Sequence, residues 1–216
     1  ALSIVIGVVV GLSALFGYRY WQSYQIGQQS EAALQYGAAN KAVEAGNRAD
    51  ADQIAMALQQ NYPKSTYASL ATLGIAERAV AANDLDAAEK ALAWAQSHVE
   101  TAELKNLVTL RMARLTLARD KPEDALKQLD SITKGTYSGL VADLRGDALF
   151  KLGRAGEARN AYEDALANVD PRAPSHSFIQ MKMDRIPAAA AAQPATDPAP
   201  AAAPTSTAPT AEKKES

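Results

Sequence analysis

His98 and His176 are the only imidazoles in this 216-residue chain. They stand far apart in sequence, with no H-E-x-x-H or other ligand spacing around either. Each is expected to be an exposed polar residue. Cysteine is absent, which excludes disulfides, thiol chemistry and zinc sites built on Cys, and leaves the redox compartment open. The chain has no G-x-S-x-G elbow for a serine nucleophile and no glycine loop to cradle a phosphate. The carboxylate pairs Asp50/Asp52 and Glu123/Asp124 fall at expected helix starts, where they complement the helix dipole. The sequence therefore predicts no catalytic residue, no metal ligand set and no cofactor: a chain that is not an enzyme.

What remains is binding, and binding surfaces are set by the elements that carry them. The middle of the chain is rich in Ala, Leu, Lys, Glu and Arg and poor in β-branched runs, which favours helices. Its clearest unit starts at Leu140 and ends near Asp170-Pro171. Gly146 and Leu149 belong to a first helix, Gly153 to a turn, and Ala158, Tyr162 and Ala165 to a second helix. Small residues at Gly146 and Ala158 let the two helices close up, Tyr162 is expected to fill the gap between neighbouring units, and Pro171 ends the second helix. Upstream, Ala76, Ala79, Asn83, Ala88, Leu92 and Ala95 repeat the skeleton, as do Ala113, Asp120, Ala125, Leu129 and Ile132. The marker alanines Ala88, Ala125 and Ala158 are 37 and 33 residues apart, bracketing the period of about 34 of tetratricopeptide (TPR) repeats. A degenerate hairpin, Gln28–Ala45 with Ala51–Asn61, precedes them. Turns within pairs are expected at Gly46-Asn47, Asn83-Asp84, Asp120-Lys121-Pro122 and Gly153-Arg154. Turns between pairs are expected at Pro63-Lys64-Ser65, Ser97–Thr101 and Lys134-Gly135-Thr136. The stretch Ser175–Ile186, with Phe178, Ile179, Met181, Met183 and Ile186, suits a terminal cap over the last apolar face. The expected fold is all-α: a TPR-like α-solenoid of about four helix hairpins with a C-terminal capping helix, behind an N-terminal transmembrane helix.

Stacked hairpins make a concave surface lined by the first helix of each pair. The repeat register places Leu70, Leu73, Glu77, Val80, Leu107, Leu110, Arg114, Leu117, Leu140, Asp143, Asp147 and Phe150 on it. An apolar floor with a few charges suits an extended or helical peptide or a partner domain, and each leucine can equally be ordinary inter-helix core. Some TPR proteins hold a peptide's terminal carboxylate with Lys and Asn on this face. Here the aligned positions are Leu73/Glu77, Leu110/Arg114 and Asp143/Asp147, which disfavours that mode. Leu110→Glu and Phe150→Glu are expected to weaken partner binding.

Residues 1–18 carry no charge. At 1.5 Å per residue they span about 27 Å, close to the hydrocarbon core of a bilayer. Arg19 ends the run, and Tyr18, Tyr20, Trp21 and Tyr24 cluster where an interfacial aromatic belt belongs. The bulky stretch 16–21 offers no small-x-small cleavage site, so an uncleaved anchor is expected over residues 1–21, in contact with membrane lipids. Gly7 and Gly11 form a G-x-x-x-G step that Ser3 extends, a face on which another membrane helix can approach closely; glycine is also simply common in membrane helices. Arg19 is the only basic residue before Lys41, which places the downstream domain outside the cytoplasm. The absence of an initiator Met and of a charged leader predicts that residues precede Ala1. The expected organisation is an anchor at 1–21, a TPR-like domain at 22–186, and an Ala/Pro-rich tail at 187–216 too poor in apolar surface to order. A formal net charge of −2, with mixed signs and no basic stripe, argues against a nucleic-acid partner.

Four stretches, in this order and spacing, resemble the YfgM family of ancillary subunits of the bacterial SecYEG translocon. They are Gly17-Tyr-Arg-Tyr-Trp-Gln-Ser, Leu110-Arg-Met-Ala-Arg-Leu, Val141-Ala-Asp-Leu-Arg-Gly-Asp-Ala-Leu and Gln180-Met-Lys-Met. The resemblance covers about residues 1 to 186. It implies a single-pass inner-membrane protein with its TPR-like domain in the periplasm. It also implies association with SecYEG and with the periplasmic chaperone PpiD, and a role with newly translocated polypeptides. The family's cytosolic leader is missing here, and the Ala/Pro-rich tail is longer than expected. Two other classes share the architecture: a structural scaffold in envelope assembly or cell division, and an accessory to an enzyme on a separate chain.

Overall fold

Four residues in the left-handed backbone region punctuate the chain: Gly46 (φ 77°), Asn83 (58°), Asp120 (60°) and Gly153 (73°). Each terminates a helix in the same way. Its own N–H donates to the carbonyl three residues back, and the next N–H donates to the carbonyl five residues back, as in Asn83 to Val80 and Asp84 to Ala79. These are Schellman motifs, which satisfy the last orphan carbonyls of a helix and turn the chain back on itself. Gly, Asn and Asp are the residue types that tolerate this conformation.

The computed structural model describes residues 2–133 and 135–186, except for the side chains of residues 2–12, 14, 21, 24 and 25. Nine helices run through them: α1 (Leu2–Glu44), α2 (Arg48–Asn61), α3 (Thr66–Ala81), α4 (Leu85–His98), α5 (Ala102–Ala118), α6 (Pro122–Asp130), α7 (Ser138–Lys151), α8 (Ala155–Ala167) and α9 (Pro174–Asp184). The described residues contain no strand. The left-handed turns join α1 to α2, α3 to α4, α5 to α6 and α7 to α8, so the described residues form four hairpins and a final single helix. Five residues after each turn comes a fully buried alanine: Ala51, Ala88, Ala125 and Ala158. The first hairpin therefore shares the register of the other three. Ala51, 37 residues before Ala88, carried that signal in the sequence.

Small residues set how closely each pair packs. A methyl on Gly146 would lie 2.5 Å from the Tyr162 ring, so α7 and α8 approach only because that position is glycine. Tyr162 thus fills the space inside its own hairpin. It does so while sharing a cluster with Ile179, Met183 and Ile186 of the capping segment. Between the first hairpins, Ala55, Leu58, Ala68 and Ala71 pack with Ala32 of α1. The buried Thr72 hydroxyl donates to the Ala68 carbonyl and accepts from Gln59 Nε2, each within 2.8 Å. Leu73, Ala88, Leu92 and Val108 join the second and third hairpins, and Leu110, Leu117, Leu129 and Leu144 the third and fourth.

Several expectations shift. The link after α4 is confined to 99–101, because α4 runs through His98. Lys134 lies outside the described residues, as does the expected disorder of 187–216. In α9 only Ile179 and Met183 are buried, with Ile186 just beyond; Phe178 and Met181 are more than half exposed. Asp50 sits in the first turn of α2 as expected, but Asp52 accepts from Arg78 of α3. His98 is half-buried rather than exposed: its ring stacks on Trp94 with centroids 4.0 Å apart, and Nδ1 donates to the Trp94 carbonyl. His176 is also half-buried.

The first helix runs through the expected division of the chain. Compositional change suggests a boundary at residues 21 and 22, yet α1 is one helix of 43 residues across it, about 65 Å long. Its second half is clamped into the domain: Ala32 and Ala39 are buried, Gln29 accepts from the Ser65 hydroxyl, and the Tyr36 and Tyr67 rings meet at 5.8 Å. In its first half Leu15, Phe16, Tyr18 and Tyr20 are exposed. Among the described residues no helix is long and apolar enough to cross a membrane; most side chains of the apolar run 1–18, Ser3, Gly7 and Gly11 included, lie outside them.

Candidate partner-binding groove

The odd-numbered helices α1, α3 and α5 bound a groove, and α7 packs against α5 beyond it. Two clefts open in it, with Glu77 and Arg111 in the lining of both. The first, of about 460 Å³, is lined by residues that include Tyr36 and Val43 of α1, Arg48 of α2, Leu70, Leu73, Glu77 and Arg78 of α3, and Leu107 and Arg111 of α5. The second, of about 360 Å³, is lined by residues that include Glu77 and Val80 of α3 with Arg111, Arg114 and Leu115 of α5. Both volumes lie in the range of about 300–1,000 Å³ found for ligand sites.

The twelve residues placed on this face by the repeat register divide into three groups. Leu70, Leu73, Glu77, Val80, Leu107 and Arg114 line the two clefts, although Leu73 is 3% exposed and is chiefly core. Leu110 and Leu117 are buried between the third and fourth hairpins. They belong to the core, so Leu110→Glu would bury a charge and cannot probe the groove. Leu140 and Phe150 are exposed on α7, whereas Asp143 and Asp147 already have a partner.

That partner is Lys182 of α9. Its ammonium lies 2.8 Å from Asp143 Oδ1 and 2.8 Å from Asp147 Oδ2, and the Tyr162 hydroxyl donates to Asp147 Oδ1 at 2.7 Å. The same ammonium stands over the rings of Tyr162 and Phe178. Burial pushes the Asp143 carboxyl above its ordinary value, while the hydrogen bond and charge of Lys182 pull it down. Burial also drives the Tyr162 phenol far above its ordinary value, helped by the bond to Asp147. The capping helix therefore supplies a counter-charge to the two carboxylates of α7.

No group of three or more His, Asp or Glu among the described residues could hold a metal ion. The site's chemistry is that of a surface with apolar walls and fixed charges.

Residues 1–188 match a family described as a tetratricopeptide repeat-like domain. The chain is also 33% identical, over 184 residues, to the ancillary SecYEG translocon subunit of Escherichia coli strain K12, covering 85% of this chain and 88% of that one. It belongs to the YfgM family. Other proteins with the same name are similar over most of the chain. The relative from Haemophilus influenzae is 29% identical over 76% of this chain and 79% of its own length. The relative from Neisseria gonorrhoeae is 28% identical over 83% and 86%.

Sequence reasoning missed several residues of the clefts in this YfgM-family chain, among them Tyr36, Arg48, Arg78 and Arg111. Tyr36 and Arg48 come from the first hairpin, whose register was not aligned with the others. Arg78 and Arg111 sit one position beside groove positions that were read, and long side chains reach round a helix. Lys182 lies outside the repeats, so no repeat spacing pointed to it.

Proposed function

We propose that this chain is a non-enzymatic, membrane-anchored protein–protein interaction module. In this reading it is an ancillary subunit of the SecYEG translocon that links it to periplasmic chaperones. The likeness to the E. coli ancillary SecYEG translocon subunit over 85% of the chain carries the reading, and the family match over residues 1–188 takes in both the apolar N-terminal run and the repeat domain. Residues 1–21 serve as a single-pass inner-membrane anchor among lipids, residues 22–186 form the periplasmic domain, and 187–216 form a tail. Supporting the anchor, α1 carries exposed Leu15, Phe16, Tyr18 and Tyr20 beyond the domain, an arrangement costly in water and favourable at a bilayer interface. The groove on α1, α3 and α5, extended by exposed Leu140 and Phe150 of α7, is the partner surface, with SecYEG, a PpiD-type chaperone and nascent translocated polypeptides as its partners. Ser3, Gly7 and Gly11 form the contact face of the membrane helix.

The test is a mild-detergent pull-down of the full chain, probed for SecY and PpiD. Alongside it run a chain with residues 1–21 replaced by an unrelated membrane helix, and the variants Val80→Glu and Phe150→Glu with circular-dichroism melts. The native chain should recover both proteins, the helix swap should lose SecY, and the folded groove variants should recover several-fold less PpiD. If neither protein is recovered by any form, the translocon role is wrong.

A further inference from the structure

The charges along the groove are segregated. On α7 the carboxylates Asp143 and Asp147 share the one ammonium of Lys182, and Asp143 also lies within electrostatic reach of Arg114. The two upstream clefts are cationic. Arg48 lines the first, Arg114 the second, and Arg111 both. Among the described residues, Arg48 and Arg114 form no ion pair. Arg111 has only a distant one, 3.8 Å to Glu77, and spends one N–H on the Leu73 carbonyl. Arg78 also reaches the first cleft, but it is matched by Asp52. Glu77 is thus the one carboxylate lining either cleft; Asp143, outside the lining, offsets part of the charge of Arg114, and Arg48 and Arg111 keep the clefts cationic.

Between these cations the walls are apolar, with Leu70 and Leu107 in the first cleft and Val80 in the second. Arg111 and Arg114 are three residues apart on α5 and so share a face. A guanidinium presents five N–H donors in a planar fork, which matches a carboxylate in two-point contact. We infer that the upstream groove takes an acidic peptide in which aliphatic and Glu or Asp side chains alternate along one segment. The aliphatic side chains sit against Leu70, Leu107 and Val80, and the carboxylates meet Arg48, Arg111 and Arg114. This deepens the groove reading above and rests on it. The apolar walls distinguish such a peptide from a plain anion, which would gain nothing from them.

The experiment uses the full chain in neutral detergent micelles. Fluorescein-labelled peptides of alternating Leu and Glu, the same sequence with Lys for Glu, and one with Gln for Glu are titrated by anisotropy. The Glu peptide should bind on the order of tenfold more tightly than the Gln peptide, the Lys peptide more weakly still, and the preference should shrink in high salt. Arg48→Glu/Arg114→Glu alters two exposed side chains, and an unchanged circular-dichroism melt confirms that it folds. It should abolish the preference for the Glu peptide. Equal binding of the three peptides, or a preference that survives the double variant, overturns the inference. Equal competition by inorganic polyphosphate overturns it in favour of a simple anion site. The pull-down separates these failures from failure of the groove reading. Charge-blind peptide binding with PpiD still lost in Val80→Glu leaves the module intact. If no peptide binds and groove variants recover PpiD normally, both readings fall.

Discussion

Tyr162 joins three parts of the molecule at once: its ring occupies the space left by Gly146, its hydroxyl donates to Asp147, and Lys182 stands over its face. The phenol's ordinary value is 10.0, and burial holds it far higher in the folded domain. The folded chain keeps a proton that the unfolded chain gives up. This tyrosine's contribution is therefore whole below pH 10 and is lost as the pH rises beyond it. Tyr162→Phe has no such proton. It should be less stable at neutral pH by about 1 kcal/mol, from the lost hydrogen bond. Its melting temperature should then fall less steeply than the native chain's between about pH 9 and pH 11. Thermal melts across that range check both. The fit of Gly146 to the facing helix was legible because only a small residue allows so close an approach. The Asp143–Lys182–Asp147 bridge was not, since ion pairs between distant helices leave no spacing to read. Leu110 and Leu117 were misplaced for a related reason: one leucine looks the same on a groove floor and in the layer beneath.

Each hairpin turn depends on one residue with positive φ, and the four positions do not bear it equally. Gly46 and Gly153 adopt it without a Cβ penalty, whereas Asn83 and Asp120 carry one. Asp120 recovers part of that cost by accepting from Lys151 at 2.9 Å. Among the described residues the Asn83 side chain makes no hydrogen bond, so it is the cleaner site. Asn83→Gly should therefore stabilise the domain by about 0.5 kcal/mol, and Gly153→Ala should destabilise it by about 1 kcal/mol. Urea titrations followed by circular dichroism measure both. These turns were readable because Gly, Asn and Asp are the few residues that suit the backbone they must adopt. The unbroken course of α1 was harder to see. Charge and hydropathy change near Arg19, and that change marks new surroundings rather than a new backbone; no proline interrupts the helix.

At the scale of the molecule, the repeats form a closed series, bounded upstream by a helix that continues outward and downstream by one that seals. The α9 segment covers Leu149 and Tyr162 with Ile179, Met183 and Ile186, and Arg159 donates to the Ile186 carbonyl at 3.2 Å. Stacked repeats need such a lid for their last apolar face. The other end behaves differently, because α1 enters the first hairpin without a joint. On the anchor reading of residues 1–21, the helix in the bilayer and the helix walling the groove are one shaft. The groove then faces a fixed compass bearing about that shaft. A single alanine inserted between Ser23 and Gln28 turns the domain by about 100°, whereas seven alanines return it to within about 20° of its starting bearing. Recovery of SecY and PpiD together should collapse with the first insertion and return with the second. A flexible tether would show no such periodicity, only a gradual response to length.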